Sequence, residues 1–156
     1  MIIRKFRASD AIAVSRMHRE TIRKINNKDY SKRQIEVWSG RTTAKKFVDS
    51  MKYRLRFVAI DNGKIIGFGD FAKDGKFNAL YVHNKYIRKG VGEKLLKKME
   101  REALKMGFKK FTVNSSLTAK YFYKSQGYKV IRKTIFRRPG LNLEVYKMEK
   151  RLRHIS

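Results

Sequence analysis

Leu80-Tyr81-Val82-His83-Asn84-Lys85-Tyr86-Ile87-Arg88-Lys89-Gly90-Val91-Gly92-Glu93-Lys94-Leu95-Leu96 reads as an apolar strand that runs through a basic, glycine-punctuated turn into an amphipathic helix. The first N–H groups of a helix have no carbonyl partner within it, so in this setting they form an anion site. Gly90 and Gly92 let the main chain approach a phosphate with no Cβ in between, while Arg88, Lys89 and the helix dipole add positive potential. A Gly-x-Gly pair alone often does no more than close a turn. The strand before it and the helix after it supply the context a phosphate loop needs.

Upstream, Ile2 to Phe6 reads as a first strand, and Ser9-Asp10 as the cap of a helix carrying Ile12, Val14, Met17 and Ile22. Asp29-Tyr30-Ser31 interrupts that helix. Ser31 caps a second helix with Ile35, Val37 and Trp38, and Thr42 or Thr43 opens a short third piece with Phe47, Val48 and Met51. Leu55–Ile60 and Lys64–Gly69 form strands joined through the hairpin turn Asp61-Asn62-Gly63, and a turn at Lys73-Asp74-Gly75 leads to a strand from Phe77 to Val82. The expected result is an antiparallel meander. Downstream, a helix spans Gly90 to Met106, a strand Phe108 to Val113, a helix Leu117 to Gln126, a strand Tyr128 to Phe136 and a last strand Leu143 to Met148.

At 156 residues and 42% hydrophobic, the chain suits one domain over 1-156 with one sizeable core. It has no cysteine, which excludes a disulfide scaffold, a thiolate metal site and a cysteine nucleophile. His18 and His154 have no partner at ligand spacing, so no metal is expected. No run approaches membrane-spanning length and no secretory leader is visible, so a soluble, cytoplasmic protein is expected. Forty Lys and Arg against thirteen Asp and Glu give a formal charge of +27. That field attracts polyanions such as phosphorylated cofactors or nucleic acid. Its dispersal along the chain, with no basic tail, equally suits a solvated surface.

Three blocks together resemble the GNAT (Gcn5-related) N-acetyltransferase superfamily: Leu80-Tyr81-Val82 with Arg88-Lys89-Gly90-Val91-Gly92; Ser116 through Tyr128; and Val145-Tyr146-Lys147-Met148. Tyr30 to Trp38 is similar to a stretch found in many small members. The resemblance implies a mixed α/β domain, with a central, mostly antiparallel sheet, a splayed parallel strand pair and flanking helices. It also implies acetyl-CoA as cosubstrate and direct attack of a primary amine, from a small molecule or a protein lysine or amino terminus, on the thioester. Two departures stand out. Ile87 occupies the place where the family loop usually has Gln or Arg, and Lys76, Phe77 and Asn78 stand where many members carry a carboxylate base.

By the same resemblance, Arg88, Lys89, Gly90, Val91, Gly92 and Glu93 bind the pyrophosphate through backbone N–H groups. Leu80, Tyr81 and Val82 bind the pantetheine, with a backbone N–H near Val82 polarising the carbonyl, and Ser116 and Ala119 lie near the cofactor. Tyr123 matches the family's general acid, since a phenol with a usual pKa near ~10 can protonate a departing thiolate. Phe122, Tyr123 and Tyr128 equally suit an aromatic core. His83 is a base candidate beside the reading of a surface histidine. Tyr30, Trp38, Glu20 and Glu36 fall where the family covers its acceptor site, although packing roles suit each. Family precedent leaves a homodimer open. The rival reading is a basic module that kept the fold, lost turnover and associates with nucleic acid or ribosomes.

Overall fold

A computed structural model describes residues 1–153, so His154 lies outside the described residues. The chain forms strands β1 (Ile2–Lys5), β2 (Arg54–Asp61), β3 (Lys64–Ala72), β4 (Phe77–Val82), β5 (Lys110–Ser116), β6 (Lys129–Arg138) and β7 (Leu141–Arg151). The helices are α1 (Ala11–Ile25), α2 (Lys32–Gly40), α3 (Ala44–Asp49), α4 (Val91–Lys105) and α5 (Lys120–Ser125). The architecture is mixed α/β, with antiparallel sheets flanked by helices. Hydrogen bonding divides the strands into two sheets, ordered β1-β2-β3-β4 and β5-β7-β6. β4 and β5 are therefore edge strands, each paired on one side only.

Local chemistry sets the element ends. Asn62 and Gly63 both take positive φ, as the two-residue turn between β2 and β3 requires. Ser31 and Gln34 cap α2 reciprocally: the Gln34 N–H donates to Ser31 Oγ at 3.1 Å and the Ser31 N–H to Gln34 Oε1 at 2.8 Å. Thr43, rather than Thr42, caps α3 by accepting from the Lys46 N–H. Asp10 acts differently from a simple α1 cap. Its carboxylate accepts from the Arg7 N–H and holds Arg4 through two bonds of 2.8 and 2.9 Å, and the Arg4 bond draws its pKa below the usual range. α5 begins at Lys120, three residues later than the helical pattern suggests. The Ala119 N–H bonds first to Ser116, at both carbonyl and hydroxyl, closing a separate turn.

α4 presents Leu95, Leu96, Met99 and Ala103 to a core shared with Phe71 on β3, Phe111 on β5 and Met148 on β7, which joins the two sheets. Each fully buried large side chain of this kind contributes about 1.5–3 kcal/mol. A second cluster packs α1 against the first sheet through Val14, Met17, Val58 and Phe68. A third joins Tyr30 and Ile35 to Leu141, Leu143 and Val145 on β7. Arg56 and Asp70 face each other across β2 and β3 at 2.7 Å, both nearly inaccessible, with the guanidinium 4.7 Å from the ring centroids of both Phe6 and Phe47. No helix of the described residues is long and apolar enough to cross a membrane.

Candidate active site

The edges of β4 and β5 open a groove of about 930 Å³. On β4 the register decides what faces it. His83 donates its N–H to the Ile66 carbonyl at 2.8 Å, and antiparallel pairing alternates residue by residue. Tyr81 and His83 therefore direct their backbone groups to β3, whereas Leu80 and Val82 direct theirs to the open edge. The Val82 carbonyl accepts the Thr21 hydroxyl of α1 at 3.2 Å. At the other end of β4 the register steps from Ala79↔Asp70 to Phe77↔Phe71, leaving Asn78 as the extra residue of a bulge. Its amide donates to Asp70 Oδ1 at 2.7 Å, so the bulge is anchored on the buried Arg56–Asp70 pair.

After Val82 the chain makes a short 3-10 turn, Asn84–Tyr86, before the loop, rather than passing straight into the helix. Arg88 has φ 62° and Gly90 has φ 82°, and Gly90 caps α4 with no side chain over the first turn. The leading N–H groups of α4 are thus left to a ligand. A left-handed conformation costs a non-glycine residue about 1–2 kcal/mol, which Arg88 bears at a point where its charge stands beside those donors. A Cβ at Gly90 would meet nothing within 4 Å, so conformation is what requires glycine there. A Cβ at Gly92 would lie 3.3 Å from the Phe122 ring, so this glycine lets the first turn of α4 pack closely on α5. A loop of this shape fits a pyrophosphate.

Leu80, Tyr81, Val82, Arg88, Gly90, Val91, Gly92, Glu93, Ser116, Ala119 and Tyr123 all line the groove. Lys89 does not; its ammonium lies 5.4 Å from the Tyr86 ring centroid. Tyr123 is 5% exposed, its ring edge-on to Phe77 and Tyr128, and its hydroxyl makes no hydrogen bond among the described residues. Burial pushes its pKa up, with Tyr81 adding to the effect. The Ser116 hydroxyl accepts from the Ala119 N–H at 3.1 Å, so both of those groups are engaged in shaping the turn. Tyr30 is a tie: its hydroxyl donates to the Glu144 carbonyl at 2.6 Å and accepts from the Leu117 N–H at 2.9 Å, and burial pushes its pKa up to about 12. His83 falls outside the groove lining. Its Nδ1 accepts from the Lys85 N–H at 3.1 Å and its Nε2 lies 3.7 Å from Glu20.

Long-range contacts bring in residues that no local pattern marks. Thr21 and Asn26 are buried polar groups on the groove, the latter donating to Thr118 Oγ1 at 3.2 Å. His18 also lines it, with its ring centroid 4.1 Å from that of Tyr81 and its Nδ1 3.2 Å from Thr42 Oγ1. The His18 Nε2 is shielded from solvent and unpartnered among the described residues. Burial, with Arg56 and Arg19 adding positive charge, pulls its pKa down to about 3. Among the described residues no group of acidic or histidine side chains gathers at metal-binding distance.

A family model described as the acetyltransferase (GNAT) domain matches residues 26–152. The chain belongs to this family of acetyltransferases. A GCN5-related N-acetyltransferase from Rhodopseudomonas palustris is similar with a TM-score of 0.91 and 26% identity, over 97% of this chain and 95% of that one. The PaiA N-acetyltransferase of Thermoplasma acidophilum, solved in complex with coenzyme A, has a TM-score of 0.79 and 24% identity over 96% of this chain and 98% of its own. YncA of Salmonella typhimurium, a putative acetyltransferase solved with acetyl-CoA, has a TM-score of 0.66 and 18% identity over 100% of this chain and 96% of its own. No curated protein matches the sequence.

Proposed function

We propose that this acetyltransferase moves the acetyl group of acetyl-CoA to a primary amine by direct attack on the thioester, with β4 and β5 acting as a splayed parallel pair around the pantetheine. The observation that carries this reading is the continuity of one edge: the edge-facing backbone of Leu80 and the free N–H of Val82, whose carbonyl is held by Thr21, lead to the uncapped first turn of α4 within one groove. The N–H groups of Val91, Gly92 and Glu93 hold the pyrophosphate, and Arg88 adds charge. The Val82 N–H polarises the thioester carbonyl and stabilises the oxyanion as the amine attacks.

The tetrahedral intermediate collapses with cleavage of the C–S bond, and the thiolate needs a proton. Tyr123 supplies it. Its raised pKa keeps the phenol protonated, and the same dry surroundings raise the proton affinity of the thiolate beside it. The incoming ammonium loses its proton to water, because no carboxylate stands on the bulge and His83 is turned onto Lys85 and Glu20. Acetyl-CoA incubated with a panel of primary amines is the test. Amine-dependent release of CoA thiol, with a rate rising with pH toward the acceptor's own pKa, is expected. Release independent of every amine would overturn the reading.

A further inference from the structure

Besides the phosphate loop, the groove is lined by a second group of residues, from the turn after α1, from α2 and from the β6–β7 hairpin. Its surface is apolar and aromatic: Tyr30, Trp38, Phe136, Leu143 and Val145 belong to one packed cluster that reaches Tyr81 on β4. Two cations stand in this group, Lys28 and Arg138, the latter with its guanidinium 4.1 Å from the Phe136 ring centroid. Arg54 and Lys76 line the groove near the β4 bulge. None of these four is paired with a carboxylate among the described residues. Among the described residues the groove's one acidic lining residue, Glu93, belongs to the loop end and is bonded to Lys97 at 2.9 Å.

An acceptor that enters this groove brings more than its reacting amine. A second ammonium group would face Lys28 and Arg138 with no carboxylate to receive it, inside the field of a chain of net charge +27. An anionic group meets the opposite situation. It neutralises cations that have no carboxylate partner among the described residues, and an arginine held over an aromatic ring, with one N–H already on the Arg137 carbonyl at 2.8 Å, presents its remaining donors to a carboxylate or phosphate with little further ordering. We infer that the acceptor is an amine carrying an anionic group, a carboxylate or a phosphate, in the same molecule, with Lys28 and Arg138 recognising that group. This rests on the acetyl-transfer reading and names its substrate class.

The test uses pairs that differ only in the anion: lysine against 1,5-diaminopentane and tyrosine against tyramine for a carboxylate, and phosphoethanolamine against ethanolamine for a phosphate. Each compound is measured twice, by CoA-thiol release with acetyl-CoA and by calorimetric binding to protein saturated with CoA, where no transfer occurs. In at least one pair the anionic member is expected to have a kcat/KM at least tenfold higher, mostly through KM, and to bind correspondingly tighter. The pair that responds identifies the anion. Lys28→Gln combined with Arg138→Gln should abolish the preference while leaving KM for acetyl-CoA within about twofold. Turnover that is equal across the pairs, or better with the diamine, overturns the inference and leaves the transfer reading intact. Tighter binding of the anionic members without turnover of any amine overturns the transfer reading and, with it, the assignment of an acceptor. The absence of any preference in both assays overturns the inference.

Discussion

Tyr123 and His18 are both groove-lining groups whose pKa values burial moves, and each yields a separate prediction. Tyr123→Phe keeps the ring that packs against Phe77 and Tyr128 and removes only the hydroxyl, which has no hydrogen bond to lose among the described residues. It should melt like the parent and bind acetyl-CoA equally well, yet turn over roughly ten- to a thousandfold more slowly. Full activity would show that water protonates the thiolate. For His18 the sign follows from its lowered pKa of about 3. Between that value and the ordinary histidine value near ~6.5, the unfolded chain binds a proton that the folded chain refuses. Its contribution is complete above that window, and stability falls as pH falls through it, by up to about 1.4 kcal/mol per pH unit. Denaturant midpoints of His18→Gln should lose this acid limb, and an unchanged slope between pH 6 and 4 would assign it to other groups.

β4 and the loop after it connect sequence to chemistry most directly. The strand from Phe77 to Val82 and the helix start at Gly90-Val91 are legible because both depend on neighbours in the chain: alternation, a turn and a glycine in the left-handed region. The bulge at Asn78 is not legible, because it is set across the sheet by Asp70, eight residues away, and by the Arg56 pair behind it. Asp70→Ala would leave the Arg56 guanidinium buried without its partner. It should cost about 3–5 kcal/mol in chemical denaturation, and a loss under 1 kcal/mol would show that the pair does not anchor the sheet. At the loop, Gly92→Asp places a like charge where the pyrophosphate is held and a Cβ 3.3 Å from Phe122. The variant should stay folded by circular dichroism but lose most of its acetyl-CoA affinity in calorimetry. Gly92→Ala, which adds the Cβ alone, should lose less.

Over the whole molecule, the antiparallel meander, the order of elements and the family are legible, whereas the division into two sheets depends on pairings over long sequence separations, such as β5 with β7. The same distance hides Thr21, which acts on Val82 from sixty-one residues away, and His18, whose surroundings come from α3, β3 and β4. The net charge of +27 should show itself as a KM for acetyl-CoA that rises with salt between 50 and 500 mM at a nearly constant kcat, and a flat KM would mean that only the local loop charges matter. The most direct test of the account is amide hydrogen exchange, resolved by residue, with and without acetyl-CoA. The account predicts slowed exchange at Leu80, Val82, Val91, Gly92 and Glu93, whose N–H groups face the groove, with little change at Tyr81 and His83, which are already bonded to β3. Protection elsewhere, with Val82 and the first turn of α4 unchanged, would contradict it.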